Sequence, residues 1–159
     1  MLKSLCAVGA VVTMTALAGG SMAPAVGQGT SGRHDDDHDR VVRVLSTNTE
    51  EAFIDAGEHD FSLGDSFVFT STLTRSGQRV GHTGVVCTIT STKREESQCV
   101  GTAVLPGGQI TVQGLEAGER PRFEFPITGG TGAYEDAGGT LVVREVSDTQ
   151  ELLSFHLDD

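Results

Sequence analysis

Short runs of alternating apolar and polar residues, separated by turns that contain glycine, fill the chain from about residue 41 onward. No stretch keeps apolar residues at helical spacing for three turns. The 21 glycines argue in the same direction, because glycine loses more backbone entropy in a helix than any other residue. The pattern therefore predicts an all-β domain.

The runs that we predict as strands are 41–46, 66–74, 80–90, 97–105, 109–113, 122–128, 140–146 and 151–157. Turns such as Ser76-Gly77 and Pro106-Gly107-Gly108 join them closely enough for an up-and-down meander. Eight antiparallel strands can close on themselves, which removes exposed sheet edges. We predict an eight-stranded antiparallel up-and-down β-barrel over residues 41–159. A β-sandwich is the alternative, and pairing of the last strand with the first distinguishes the two.

A barrel of eight strands either fills with its own side chains or holds one small ligand. All seven phenylalanines fall in or beside the predicted strands, and we interpret them as core. Alternation along the strands makes the following residues candidates for a ligand-binding lumen: Phe67, Phe69, Ser71, Phe123 and Phe125.

The N-terminus has the pattern of a secretory signal peptide. Lys3 precedes an uncharged stretch, residues 5–18, and small residues follow it up to Gly27. The apolar run is too short for a membrane span. We predict cleavage near Gly27, with Ala23 as the alternative, and a secreted domain that is free of the membrane once residues 1–27 are removed.

Residues 28–40 are rich in His and Asp and have no apolar face. We interpret them as a disordered mature N-terminus, because no scaffold would hold these side chains in one metal-binding geometry, with binding of a divalent ion as the alternative. The whole chain carries 22 acidic against 11 basic residues. That balance excludes a general nucleic-acid binder, since a phosphate backbone would repel the surface.

Signal cleavage would discard Cys6 and leave Cys87 and Cys99. Each lies in a predicted strand, and the connection between them is polar and centred on Lys93. An antiparallel hairpin would place the two cysteines opposite each other in a compartment that permits disulfides. We predict that they pair, with a reactive thiol as the alternative.

The densest motif is the glycine-rich segment 129–139. It lacks the Lys-Ser/Thr pair of a phosphate loop, and Glu135 stands where a dinucleotide fingerprint needs its third glycine. The segment therefore predicts tight turns at a barrel corner and no nucleotide cofactor.

This segment also carries a resemblance. Together with Ser62-Leu63-Gly64-Asp65, Arg79-Val80-Gly81, Cys87 and residues 109–114, it resembles the allene oxide cyclase barrel family and its dirigent relatives over about residues 60–145. The resemblance implies an eight-stranded barrel with an apolar lumen. It further implies a reactive lipid-like or phenolic ligand whose cyclisation or coupling the protein steers, and it allows a trimer, which plant members often form.

The chain departs from the family at the residues that carry the chemistry. Allene oxide cyclases have a Glu and an Asn on the first strand, whereas here Asn48 and Glu50 come only after that predicted strand. The family's lumen Asn falls on Ser71, and its Tyr falls near Glu116. A dirigent Asp and Arg fall on Ala133 and Gly138. The resemblance thus implies a fold and leaves the mechanism open.

Three side chains are candidates for catalysis. Glu135 beside Tyr134 could act as an acid and a hydrogen-bond donor at a barrel mouth, or Glu135 could instead accept backbone N–H groups of the glycine loop. His82 could face the lumen or the solvent. No Ser-His-Asp or metal-ligand spacing stands out, so we predict no metal site.

Three functions follow from a barrel of this kind. It could bind a small apolar or phenolic ligand, act as a cyclase or dirigent-like protein on a reactive substrate, or serve as a structural protein with a filled interior. A lumen smaller than about 100 Å³ would leave only the structural function. A hollow lumen with a buried carboxylate would favour the cyclase or dirigent-like function.

Overall fold

The computed structural model describes residues 40–57, 61–118 and 120–158, and it contains eight strands. The predicted signal peptide and residues 28–39 lie outside the described residues. The strands are β1 (Arg40–Ile54), β2 (Ser66–Arg75), β3 (Gln78–Ser91), β4 (Glu96–Leu105), β5 (Gly108–Ala117), β6 (Arg122–Gly130), β7 (Gly138–Ser147) and β8 (Gln150–Asp158). Among these residues, no helix has the length and apolar character that a membrane crossing requires.

The sheet closes into a barrel. Each strand pairs antiparallel with the next, and β8 pairs with β1 from Arg40↔Leu157 to Thr47↔Gln150. The predicted up-and-down barrel is confirmed, and the sandwich alternative is wrong. Closure leaves no free sheet edge, which is how such a polar, glycine-rich sheet avoids pairing with other chains.

Two strands run further than the sequence predicts. β1 continues past Ser46 to Ile54, and β5 continues past Gln113 to Ala117. The extension of β1 contains a bulge between Asn48 and Glu50 and stays paired with β2 on its far side. Pairing with neighbouring strands therefore overrides the weak strand propensity of these polar stretches.

The two ends of the barrel differ. The connections after β2, β4 and β6 meet at one end, which we call the floor, and those after β1, β3, β5 and β7 meet at the other, which we call the mouth. The floor is closed by buried side chains that include Leu73, Leu105, Ile110 and Leu157. The glycine-rich segment packs there, and the Ala133 N–H donates to the Gly107 carbonyl at 2.9 Å.

Asp65 organises the connection between β1 and β2 at the mouth. Its side chain has no exposed surface and accepts hydrogen bonds from the backbone N–H groups of Ser62, at 2.7 Å, and Ala56, at 2.9 Å. These bonds lower the pKa of Asp65. The Ser-Leu-Gly-Asp motif of residues 62–65 is thus a structural clamp.

Cys87 and Cys99 form a disulfide between β3 and β4. They occupy directly opposite positions in the register, with their Cα atoms 4.0 Å apart. Both side chains are buried and belong to the wall of the interior. The bond ties two neighbouring strands together near the mouth.

The seven phenylalanines differ in burial, and Phe69 and Phe123 are partly buried against the core. Phe125 and Phe155 are buried, but three others are exposed at the mouth: Phe53, Phe61 and Phe67, at 43%, 66% and 38% of their surface. Their rings contact one another, with centroids 5.1–5.9 Å apart. Interpreting all seven as core was wrong for this aromatic group, because its members lie on strand ends and a loop beyond the packed floor.

Candidate functional site

A cavity of about 690 Å³ occupies the interior and opens at the mouth. Its volume lies within the range of about 300–1,000 Å³ that small-molecule sites occupy. The five residues that the sequence nominates for the lumen all line it: Phe67, Phe69, Ser71, Phe123 and Phe125. A barrel filled by its own side chains does not fit this volume, so the structural-protein alternative loses its basis.

The cavity has two unlike walls. The wall formed by β5 to β8 is apolar, with Ile110, Val112, Phe123, Phe125, Leu141, Val143, Leu153 and Phe155. The wall formed by β1 to β3 carries the polar side chains Ser46, Asn48, Ser71 and Thr83 beside Phe67 and Phe69. A molecule that fits both walls has an apolar body and at least one polar group.

Acidic side chains dominate the part of the lining that lies near the mouth. The lining residues that the structure describes include one basic side chain, Arg120, and six acidic ones: Glu51, Glu95, Glu116, Glu145, Asp148 and Glu151. This charge disfavours anionic ligands and suits neutral or cationic ones.

Glu116 on β5 and Glu151 on β8 are less exposed than the other acidic residues of the lining. Both are half-buried, and neither forms an ion pair with a residue that the structure describes. Burial raises the pKa of Glu116, and the charge of Glu151 raises it further. Burial likewise raises the pKa of Glu151, with a second contribution from Glu145. The protonated forms of both groups are therefore favoured relative to a glutamate in water.

Glu116 also contacts the disulfide, with its Oε2 atom 3.5 Å from Cys99 Sγ. A disulfide sulfur has no proton to donate, but it can accept one weakly from a protonated carboxyl group. The contact therefore fits the neutral form of Glu116. Cys87, Cys99 and Glu116 lie close together, yet bonded sulfurs are not thiolate ligands, so we assign no metal to them.

The described barrel, its glycine-rich floor and its lumen agree with a family comparison. The model of the allene oxide cyclase barrel like domain matches residues 40–157. This chain belongs to the allene oxide cyclase barrel-like family. No curated protein matches the sequence.

Solved structures of related fold include one named as a pyocyanin demethylase, which is 28% identical with a TM-score of 0.68 over 74% of this chain and 99% of the other. An exo-specific intermolecular Diels-Alderase is 14% identical, with a TM-score of 0.62 over 76% and 98%. A pterocarpan synthase dirigent protein is 17% identical, with a TM-score of 0.60 over 82% and 94%. At these identities, the last two show the fold of the allene oxide cyclase barrel-like family and nothing finer.

The catalytic candidates near the family's glycine segment lie away from the cavity. Tyr134 is buried at the floor, its hydroxyl donates to the Pro106 carbonyl at 3.4 Å, and the Arg40 guanidinium lies 5.2 Å from the centre of its ring. Glu135 is exposed beside it. Placing this pair at a barrel mouth was wrong, because the β6–β7 connection belongs to the closed end. His82 is exposed on the outer face.

The sequence reasoning missed most polar residues of the cavity as site residues, among them Asn48, Glu51, Glu116 and Glu151. For Glu151 a signal exists, because it alternates with Leu153, Phe155 and Leu157 and so shares their inward face. For Glu116 the predicted strand ended too early. The expectation that Asn48 and Glu50 come only after the first strand was wrong, because β1 runs to Ile54 and brings Asn48 and Glu51 to the cavity.

The raised pKa values predict that Glu116 and Glu151 destabilise the barrel at neutral pH. A carboxyl group whose pKa is raised in the folded state stabilises the fold fully when the pH is below its usual pKa of 4.5. That stabilisation is lost as the pH rises through the folded-state pKa. We expect Glu116→Gln and Glu151→Gln each to raise the Tm at pH 7 by a few degrees, and not at pH 4.

Differential scanning calorimetry at both pH values measures this effect. Each variant is compared with the wild type at the same pH, because Asp65 also makes the stability of the barrel depend on pH. The pKa of Asp65 is lowered, so its stabilising effect is lost as the pH falls, in the variants and the wild type alike. Glu135→Gln at the exposed floor is the matched control and should follow the wild type. A Tm at pH 7 that does not rise in either cavity variant contradicts the prediction.

Proposed function

We propose that this protein binds a small, mostly apolar molecule in its lumen and promotes the rearrangement or cyclisation of that molecule, with Glu116 and Glu151 as proton donors. One observation carries the proposal: two half-buried carboxyl groups with raised pKa values face an open cavity of about 690 Å³. A perturbed acid in a ligand-sized cavity is typical of a catalytic site.

The cavity suits chemistry on a substrate that is already reactive. Its apolar wall excludes water and shapes a flexible chain or ring system into one conformation. A carboxyl group that keeps its proton closer to neutral pH can donate it to a developing negative charge, which typically accelerates a reaction by about 10²–10⁴-fold. Few polar groups are needed for such a reaction.

The fold neighbours support this class of function. Their names describe a demethylase, a Diels-Alderase and a pterocarpan synthase, and each name denotes the conversion of a small organic molecule. Binding without conversion is the second candidate. It is favoured by Ala133 and Gly138, which stand where the dirigent relatives have an Asp and an Arg.

Export and self-association belong to the same proposal. The signal-like residues 1–27 support secretion, and so does the Cys87–Cys99 disulfide, because such bonds persist in oxidising compartments. A trimer is supported by an exposed row of valines on the outer face, where Val68, Val86 and Val100 are cross-strand neighbours.

Native mass spectrometry of the purified protein, followed by a conversion assay, tests the function. Any bound molecule is identified, and its ring-open precursor is offered to the wild type, to the Glu116→Gln/Glu151→Gln double variant and to Glu135→Gln. We expect the double variant to retain binding and to lose about 100-fold or more in rate, while Glu135→Gln stays unchanged. Binding with no conversion by the wild type would leave the binding function alone, and absence of any ligand would overturn both.

A further inference from the structure

The Cys87–Cys99 disulfide lies inside a cavity that opens to solvent, and the function proposed above leaves it unused. Both cysteines line the cavity of about 690 Å³, on the inward face of β3 and β4 near the mouth. They are packed into the sheet except for 7% and 5% of their surface, which belongs to the cavity wall. A disulfide that only stabilises a fold needs no contact with a ligand-sized cavity.

The two sulfurs have different neighbours. Cys87 is opposite Phe67 on β2, and Phe67 is 38% exposed at the mouth. Cys99 Sγ lies 3.5 Å from Oε2 of Glu116, a half-buried residue of β5.

This difference decides which sulfur a thiolate can attack. An incoming thiolate approaches the attacked sulfur from the side opposite the sulfur that leaves. The side of Cys87 away from Cys99 faces β2, so a thiolate that attacks Cys87 passes Phe67 at the mouth. A thiolate that attacks Cys99 comes from the side of β5 and meets the Glu116 carboxyl group. The geometry therefore favours attack on Cys87.

Glu116 can hold the proton that the leaving sulfur requires. Attack on Cys87 leaves a thiolate on Cys99, the sulfur that the Glu116 carboxyl contacts. Burial, together with the charge of Glu151, raises the pKa of Glu116, so its protonated form persists to higher pH than in water. Thiol–disulfide exchange is faster when the leaving thiolate is stabilised.

The charge of the cavity selects among thiols. The described lining contains six acidic side chains and Arg120. Such a lining repels anionic thiols and attracts thiols that carry an amine.

We propose that the Cys87–Cys99 disulfide is a thiol-exchange site for small cationic thiols, with Cys87 as the attacked sulfur and Cys99 as the leaving one. The thiolate of an aminothiol bonds to Cys87 Sγ, the electron pair of the S–S bond moves to Cys99 Sγ, and Glu116 gives Cys99 its proton. The proton that the aminothiol lost to water restores Glu116.

A second aminothiol completes the exchange by displacing the first from Cys87. Two aminothiols are thereby oxidised to one disulfide, and Cys87 and Cys99 are reduced to two thiols. This activity goes beyond the proposed function: it uses the open cavity and Glu116, but it requires neither an apolar ligand nor a cyclisation.

Two thiols of similar size and opposite charge, 2-aminoethanethiol and 2-mercaptoethanesulfonate, test the site in the full chain. Each rate is divided by the rate of the same thiol with uncharged 2-hydroxyethyl disulfide, which removes the difference in nucleophilicity. Acid quenching, pepsin digestion and mass spectrometry locate the adduct. We expect the aminothiol to react about tenfold faster or more on this scale, with a smaller ratio at high salt, and its adduct to be on Cys87.

Glu116→Gln tests the proton donor. Rates from pH 5 to pH 8 are divided by the fraction of thiol present as thiolate. In the wild type this corrected rate should fall as the pH rises through the pKa of Glu116, because the donor loses its proton. We expect Glu116→Gln to be about tenfold slower at pH 5 and to lack that fall. Glu135→Gln removes an acid at the exposed floor and should match the wild type.

Each outcome decides one part of the proposal. Absence of an adduct with either thiol overturns the site, and equal normalised rates overturn the selection of cationic thiols. An adduct on Cys99, or a Glu116→Gln variant with the rate and pH profile of the wild type, overturns the assigned roles. The proposed cyclisation is decided separately, by the conversion assay with the double variant.

Discussion

Substituting Val85 by tryptophan is expected to abolish ligand binding, with a loss of about 100-fold or more in affinity for 2-naphthol, or about 2.7 kcal/mol. Val85 lies on β3, lines the cavity and is partly exposed to it, between Phe69 on β2 and Gly101 on β4. An indole at this position would occupy the space into which the ligand must enter. Isothermal titration calorimetry measures the effect.

The next residue is the control for this variant. Val86 points to the outer face and is 43% exposed, so Val86→Trp adds the same side chain without reducing the cavity. It should bind 2-naphthol as the wild type does. Equal affinities of the two variants would show that the ligand does not occupy the lumen.

Substituting Gly132 by alanine is expected to destabilise the barrel more than the same change at a glycine with a similar φ and open space around its Cβ position. Gly132 has φ +62°, and a Cβ there would lie 2.2 Å from the Gly107 carbonyl oxygen. The left-handed conformation costs an L-residue about 1–2 kcal/mol. The collision requires the β4–β5 turn to move, which adds a further loss of about 1–3 kcal/mol.

Gly77→Ala isolates the first of these two costs. Gly77 has φ +77°, but a Cβ there would have no atom within 4 Å. Urea unfolding of both variants should therefore give a loss of about 1–2 kcal/mol for Gly77→Ala and a clearly larger one for Gly132→Ala. Equal losses would show that the floor adjusts without cost and that the left-handed backbone conformation alone accounts for the effect at Gly132.

The motifs that carry the family resemblance mainly hold the barrel together, and of their residues Cys87, Ile110 and Val112 also line the cavity. Asp65 clamps the mouth loop, Gly132 allows close backbone packing at the floor, and Cys87 is bonded to Cys99. The cavity groups with unusual protonation, Glu116 and Glu151, lie outside those motifs. Shared motifs therefore transfer the fold of this family more securely than its chemistry.

Most strands could be predicted because alternation and turn residues are local signals. The inward set on β2, which includes Phe67, Phe69 and Ser71, follows from the two-residue period alone. The ends of β1 and β5 could not be predicted in this way. Their polar residues are held in strands by pairing with β2 and β4, which are distant features of the fold.

What the sequence by itself determined is the closed all-β barrel, the opposition of Cys87 and Cys99 and the glycine corners, since each follows from side-chain period and local backbone preference. Only the tertiary structure decided which end is open and which acids are inside. Glu116 and Glu151 are 35 positions apart in the sequence and face one cavity because the barrel arranges β5 and β8 around it. Their raised pKa values arise from burial and from a neighbouring charge, that of Glu151 for Glu116 and that of Glu145 for Glu151, and neither cause exists until the strands have paired.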